Sequence, residues 1–82
     1  MTKFMITFGV GHRSNSGENL QHTYVVIDAK DDDHARTQAF ALRGDRWSNI
    51  YPIHSLQFLG KRWNLNQLHR DHVQLSDKEL GR

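Results

Sequence analysis

Residues 22–44, HTYVVIDAKDDDHARTQAFALRG, change their period halfway along. In 22–29 the apolar residues alternate: Val25, Ile27 and Ala29 share one face, Tyr24, Val26 and Asp28 the other. A run rich in β-branched residues at that spacing makes a strand. From Asp31 onward the repeat becomes helical, because Ala35, Ala39 and Leu42 fall at i, i+4 and i+7. Asp31 or Asp32 supplies an N-cap, and the acidic run 31–33 suits the positive end of the helix dipole. Arg43 puts a cation in the last turn, and Gly44 stands where a left-handed cap residue belongs. A helix is therefore expected over Asp32–Arg43. Its narrow stripe lets it lie close against a sheet, with Phe40 at the edge of the contact.

Upstream, KFMITF (3–8) alternates as well, with Phe4, Ile6 and Phe8 on one side and Lys3, Met5 and Thr7 on the other. It reads as a half-buried strand. Residues 9–21 join the two strands through glycine, serine, asparagine and histidine, with only Val10 and Leu20 apolar, so a turn-rich loop is expected. Downstream, DRWSNIYP (45–52) reads as a third strand, with Trp47 and Tyr51 sharing a face and Pro52 at an end or an edge. HSLQFLGKRWNLNQL (54–68) reads as a hairpin. Gly60-Lys61 suits a two-residue turn with glycine first, and it sets Phe58 opposite Trp63 and Leu56 opposite Leu65. A helical turn over 54–59 is the competing reading. Residues 69–75 extend the last strand, and 76–82 form a tail.

These elements amount to one α+β domain over residues 1–82: one helix packed on a mainly antiparallel sheet of four to five strands. The order is β-β-α-β-β, with room for a further short strand. A chain of 82 residues without cysteine has neither disulfides nor Cys-based zinc sites to staple a small core. No apolar leader segment or run of about 20 apolar residues occurs, so a cytoplasmic protein with no membrane contact is expected. The net charge of +2 is small, and the basic residues are scattered from Lys3 to Arg82, which gives nucleic-acid binding only slight support.

The segments ITFGVGHR, YVVIDAKD, HAR and GDRWSNIY follow one another over residues 3–51. In that order they resemble a family of small proteins common in tailed phages of actinobacteria. Its members show FTFGxG, a polar loop, YVVI.A.D, a helix containing AR, and G..W...Y. The resemblance implies a phage origin and a small α+β domain, hence the host cytoplasm as compartment. It implies no activity.

The chemistry-bearing patterns are thin. GVG (9–11) leads from a strand into a loop and another strand, whereas a phosphate cradle needs glycines ahead of a helix N-terminus. The glycines are read as a strand end with positive φ. Six histidines invite a metal, but His69 and His72, in a segment read as extended, face opposite ways. Helix capping accounts for the aspartates at 31–33. No serine stands in a G-x-S-x-G elbow, and no enzyme, metal or cofactor is expected.

What remains is binding. A long polar loop on a rigid scaffold is where contact residues sit, which singles out His12, Arg13, Asn15 and Asn19. The aromatics outnumber what one helix can cover. Trp47, Tyr51 and Trp63, beside Arg46 and Arg62, form a second candidate set. Trp, Tyr and Arg dominate protein hot spots. The leading expectation is a non-catalytic binding module acting on a host or phage protein. The alternatives are a nucleic-acid binder using the sheet aromatics and a small-molecule binder using the 9–21 loop. A homodimer that buries the same aromatics is also open.

Overall fold

In a computed structural model that describes residues 2–81, the chain is a four-stranded sheet with a helix on each face. The first strand, β1 (Thr2–Thr7), pairs antiparallel with β2 (Thr23–Ala29) on one side and with β3 (Asn49–Pro52) on the other. The helix α1 (Asp32–Arg43) joins β2 to β3, and α2 (Leu56–Arg62) lies between β3 and β4 (Asn66–Gln67). The strand order is β3-β1-β2-β4, and β4 runs parallel to β2.

The region around α1 follows the sequence reading closely. The Asp31 carboxylate accepts from the His34 backbone N–H at 2.8 Å, and Asp32 and Asp33 occupy the first turn. His34 Nδ1 accepts from the Lys30 N–H at 2.9 Å. At the other end Gly44, at φ +63°, donates its N–H to the Phe40 carbonyl. Ala35, Ala39 and Leu42 are buried against Phe4, Ile6, Phe8, Val25, Ile27 and Ala29, with Leu20 and Val73 closing the cluster. Each of the larger apolar side chains, where fully buried, contributes about 1.5–3 kcal/mol of transfer free energy.

The C-terminal half departs from expectation. The hairpin does not form: residues 53–55 make a single 3-10 turn and 56–62 a helix, so the competing helical reading of this stretch is the correct one, and it runs further than expected. The described residues hold two α-helices rather than one. Leu56, Leu59 and Trp63 fall at i, i+3 and i+7, a helical stripe that the hairpin register had masked. Phe58, which the hairpin would have paired with Trp63, is 74% exposed. Asn64, at φ +53°, terminates α2, and the Leu65 N–H bonds the Gly60 carbonyl at 3.0 Å, as in a Schellman cap. The sheet is mixed rather than mainly antiparallel throughout, because β4 adds to β2 in parallel. Residues 69–75 do not extend that strand: Arg70–His72 is a 3-10 turn that drops Val73 and Leu75 into the core. Trp47 lies before β3, not in it.

Strand geometry explains why the second helix covers the far face. β2, β3 and β4 all point the same way, since β2 and β3 are each antiparallel to β1 and β4 is parallel to β2. The β2-to-β3 and β3-to-β4 connections are thus crossovers that travel in opposite directions. Right-handedness places two such connections on opposite faces. The contacts agree: Trp63, at the end of α2, packs its ring 6.2 Å from that of Tyr51, which is the register partner of Met5. Met5 and Thr7, read from the sequence as the outer side of β1, are therefore buried.

Candidate binding site

Residues 9–21 are ordered by their own backbone. Gly9 and Gly11, at φ +65° and +92°, turn the chain off β1. Arg13 and Asn19 then pair as an antiparallel bridge closed by a turn, with the Ser14 N–H on the Glu18 carbonyl at 2.8 Å. Leu20, fully buried, anchors the loop from below. Asn15 fastens it to the C-terminal segment. Its backbone N–H bonds the His72 carbonyl at 2.9 Å, and its Nδ2 bonds the Asp71 and Gln74 carbonyls at 3.3 and 3.1 Å. The Asn19 side chain accepts from the Gln21 N–H at 2.9 Å.

The loop separates two recesses. Gly9 and Val10 form one wall of a cleft of about 510 Å³ whose other wall is Arg62, Trp63 and Leu65 at the end of α2. His22 lines it too and donates from Nδ1 to the Trp63 carbonyl at 3.0 Å. Arg62 also borders a shallow hollow under Phe58 and Lys61, so cleft and helix face are continuous. Val10 is 76% and Trp63 39% exposed.

The second recess, of about 560 Å³, is basic. Residues 11–15 form one side, and Arg43, Arg46, Leu75 and Glu79 the other. Arg43 is only 2% exposed. Its guanidinium ties three segments together: Nε donates to the Arg46 carbonyl at 2.9 Å, Nη1 to the Val73 carbonyl at 2.7 Å and Nη2 to the Arg13 carbonyl at 3.1 Å. It also lies over the Phe8 ring, 5.4 Å from its centroid. Burial, then the neighbouring charge of Arg46, pulls the Arg43 pKa below its ordinary value, while Glu79 acts the other way.

The structure thus divides the residues singled out in the sequence. His12, Arg13, Asn15 and Arg46 meet at the basic recess. Arg62 and Trp63 meet at the apolar cleft, with Tyr51 behind Trp63. Trp47 joins neither: its Nε1 donates to the Gly44 carbonyl at 2.8 Å, and its ring meets Phe40 edge-on at 5.3 Å, closing the end of α1. The sequence reading missed Arg43, Val10 and His22 as surroundings of the two recesses. Arg43 had a signal, since it stands four residues after Ala39 and so prolongs the buried stripe. Among the described residues no group of three or more His, Asp or Glu side chains converges as a metal site, and His69 Nδ1 accepts from the Asp71 N–H at 3.2 Å. No helix of the described residues is long and apolar enough to cross a membrane. Comparison with protein-family models, with curated proteins and with solved structures finds no match to this chain.

Proposed function

We propose that this chain is a small non-catalytic binding module, of the phage-protein kind its sequence resembles, that docks a host or phage protein in the bacterial cytoplasm. The surface used is the apolar cleft together with the outer side of α2. One observation carries the reading: Val10, Phe58 and Trp63 are 76%, 74% and 39% exposed, and Arg62 joins them into one patch. Nothing in the core requires those side chains outside, and an exposed apolar patch rimmed by polar groups is what a protein interface looks like before its partner arrives. Lys61 and Arg62 select a partner segment that carries an apolar anchor flanked by acidic residues. The test is affinity capture from the host, followed by titration of the purified partner. Phe58→Ala and Trp63→Ala should each weaken binding by about 2 kcal/mol, while the His12→Ala/Arg13→Ala double variant binds normally. Full affinity in both aromatic variants would place the interface elsewhere.

A second reading rests on Lys61 and Arg62 flanking Phe58 and Trp63. Bases of a single strand stack on exposed aromatics while cations hold the backbone. A salt titration with single-stranded DNA distinguishes it, because phosphate contacts make affinity fall steeply with ionic strength.

A further inference from the structure

The apolar cleft leaves the basic recess unexplained. Among the described residues Arg13, Arg43 and Arg46 line it against one carboxylate, that of Glu79, so three cations and one anion leave a formal +2 with His12 neutral. That equals the net charge of the entire chain, gathered in one hollow. Glu79 does not neutralise it: its carboxylate accepts from Ser76 Oγ at 3.4 Å, and none of the three arginines forms an ion pair among the described residues. Arg43 is the more telling group. A guanidinium has five N–H donors in a fixed fork, and the three bonds to carbonyls, one from each nitrogen, leave two N–H groups without a carbonyl partner. A cation this deeply buried ordinarily has an anion paired with it, because an uncompensated charge is costly to remove from water. Here its direct partners are carbonyl dipoles and the Phe8 ring, and the one carboxylate that acts on it, that of Glu79, forms no ion pair with it.

We infer that the recess between the 11–15 loop and the Arg43–Arg46 turn is a binding site for a phosphate monoester. A monoester carries about −1.5 to −2 charge at neutral pH, which matches the formal +2 of the walls. Arginine is the side chain whose planar fork fits phosphate oxygens two at a time. Arg43 is immobilised by its carbonyl bonds and Arg13 is held by the Gly17 carbonyl at 3.0 Å, so two of the three cations are ordered before any ligand arrives. Exposed Arg46 closes on the ligand from the rim. The recess is larger than a phosphate group alone, which leaves space for the moiety that bears it. This inference stands apart from the proposed protein interface, since the two recesses share no residue.

The test is a titration of the ¹⁵N-labelled protein with inorganic phosphate, phosphoserine and adenosine monophosphate, with succinate as the dicarboxylate control. Saturable shifts are expected at the amides of 11–15 and 43–46 and at the Arg43 Nε–H, with both esters binding tighter than succinate. Arg46→Gln and Arg13→Gln change exposed side chains, so their spectra should keep the native dispersion while ester affinity falls about tenfold or more. Tighter binding of adenosine monophosphate would identify a free small molecule as the source of the phosphate. Tighter binding of phosphoserine would identify a modified protein side chain. The assignment fails if no ester gives saturable shifts there, if succinate binds as tightly, or if both variants bind like the parent.

Discussion

The two faces of the sheet are built to different standards. On one, a twelve-residue helix capped at both ends buries its stripe against β1 and β2, and the packed side chains are nearly all inaccessible. On the other, a seven-residue helix carries a glycine in its interior and buries none of its residues fully. A helix that short is marginal without tertiary support, and Gly60 costs it about 1 kcal/mol relative to alanine. The comparison teaches a division of labour. The α1 face holds the domain together, and the α2 face is thinly attached and rich in exposed apolar groups. Surfaces that engage partners come from the less stable end of a structure. The loop between the recesses belongs to the stable side, because Arg43 and Asn15 bolt it down.

This contrast can be broken by substitution. The largest effect is expected at Arg43. Arg43→Met leaves the Arg13, Arg46 and Val73 carbonyls without their donor, and should lower the unfolding free energy by about 3–5 kcal/mol, measured by urea denaturation. A loss under about 1 kcal/mol would show that water replaces the guanidinium and that Asn15 and Leu20 suffice to hold the loop. Leu42→Ala should cost about 2–4 kcal/mol, since it removes the last core contact of α1. A loss below about 0.5 kcal/mol in the same titration would mean that the α1 face is no better packed than its opposite. Gly44→Ala follows at about 1–2 kcal/mol, because φ +63° strains an L-residue and the added Cβ would lie 3.2 Å from Leu80 Cδ2. Phe58→Ala closes the series. It should change stability by less than about 0.5 kcal/mol while weakening partner binding, and a larger loss of stability would make Phe58 structural and remove it from the interface. Native-state hydrogen exchange sharpens the contrast further: amides of α2 should exchange through local opening, well ahead of those of α1.

What could be read in advance tracks how local the determinants are. α1 was legible, with its N-cap left between Asp31 and Asp32, because its cap, dipole complement, stripe and terminating glycine all lie within residues 31–44. β1 and β2 were legible because alternation survives in each. The stretch 54–65 was not, since Leu56, Phe58, Trp63 and Leu65 satisfy a hairpin register while Leu56, Leu59 and Trp63 satisfy a helix. Short apolar runs carry both periods at once. The decision fell to the edge of the sheet: Pro52 has no N–H to extend the ladder beyond β3, so the chain leaves that edge and crosses over.

The candidate sites divide in the same manner. The loop residues and the C-terminal Arg and Trp were visible as residue types, but nothing local says that Asn15 spends its amide on the Asp71 and Gln74 carbonyls or that Trp47 closes a helix end. By itself the sequence determined the strand–loop–strand–helix core and the positions of the caps, because each depends on spacings of a few residues and on backbone preferences of single side chains. Tertiary structure alone decided that β4 joins β2 in parallel, that Met5 is buried, and that Arg13, Arg43 and Arg46 converge on one recess. Those outcomes join residues 13 to 43 and 43 to 73, and over such distances the local period carries no information: which segments meet is set by the crossover that places α2 on the free face and by the backbone carbonyls a buried guanidinium must find.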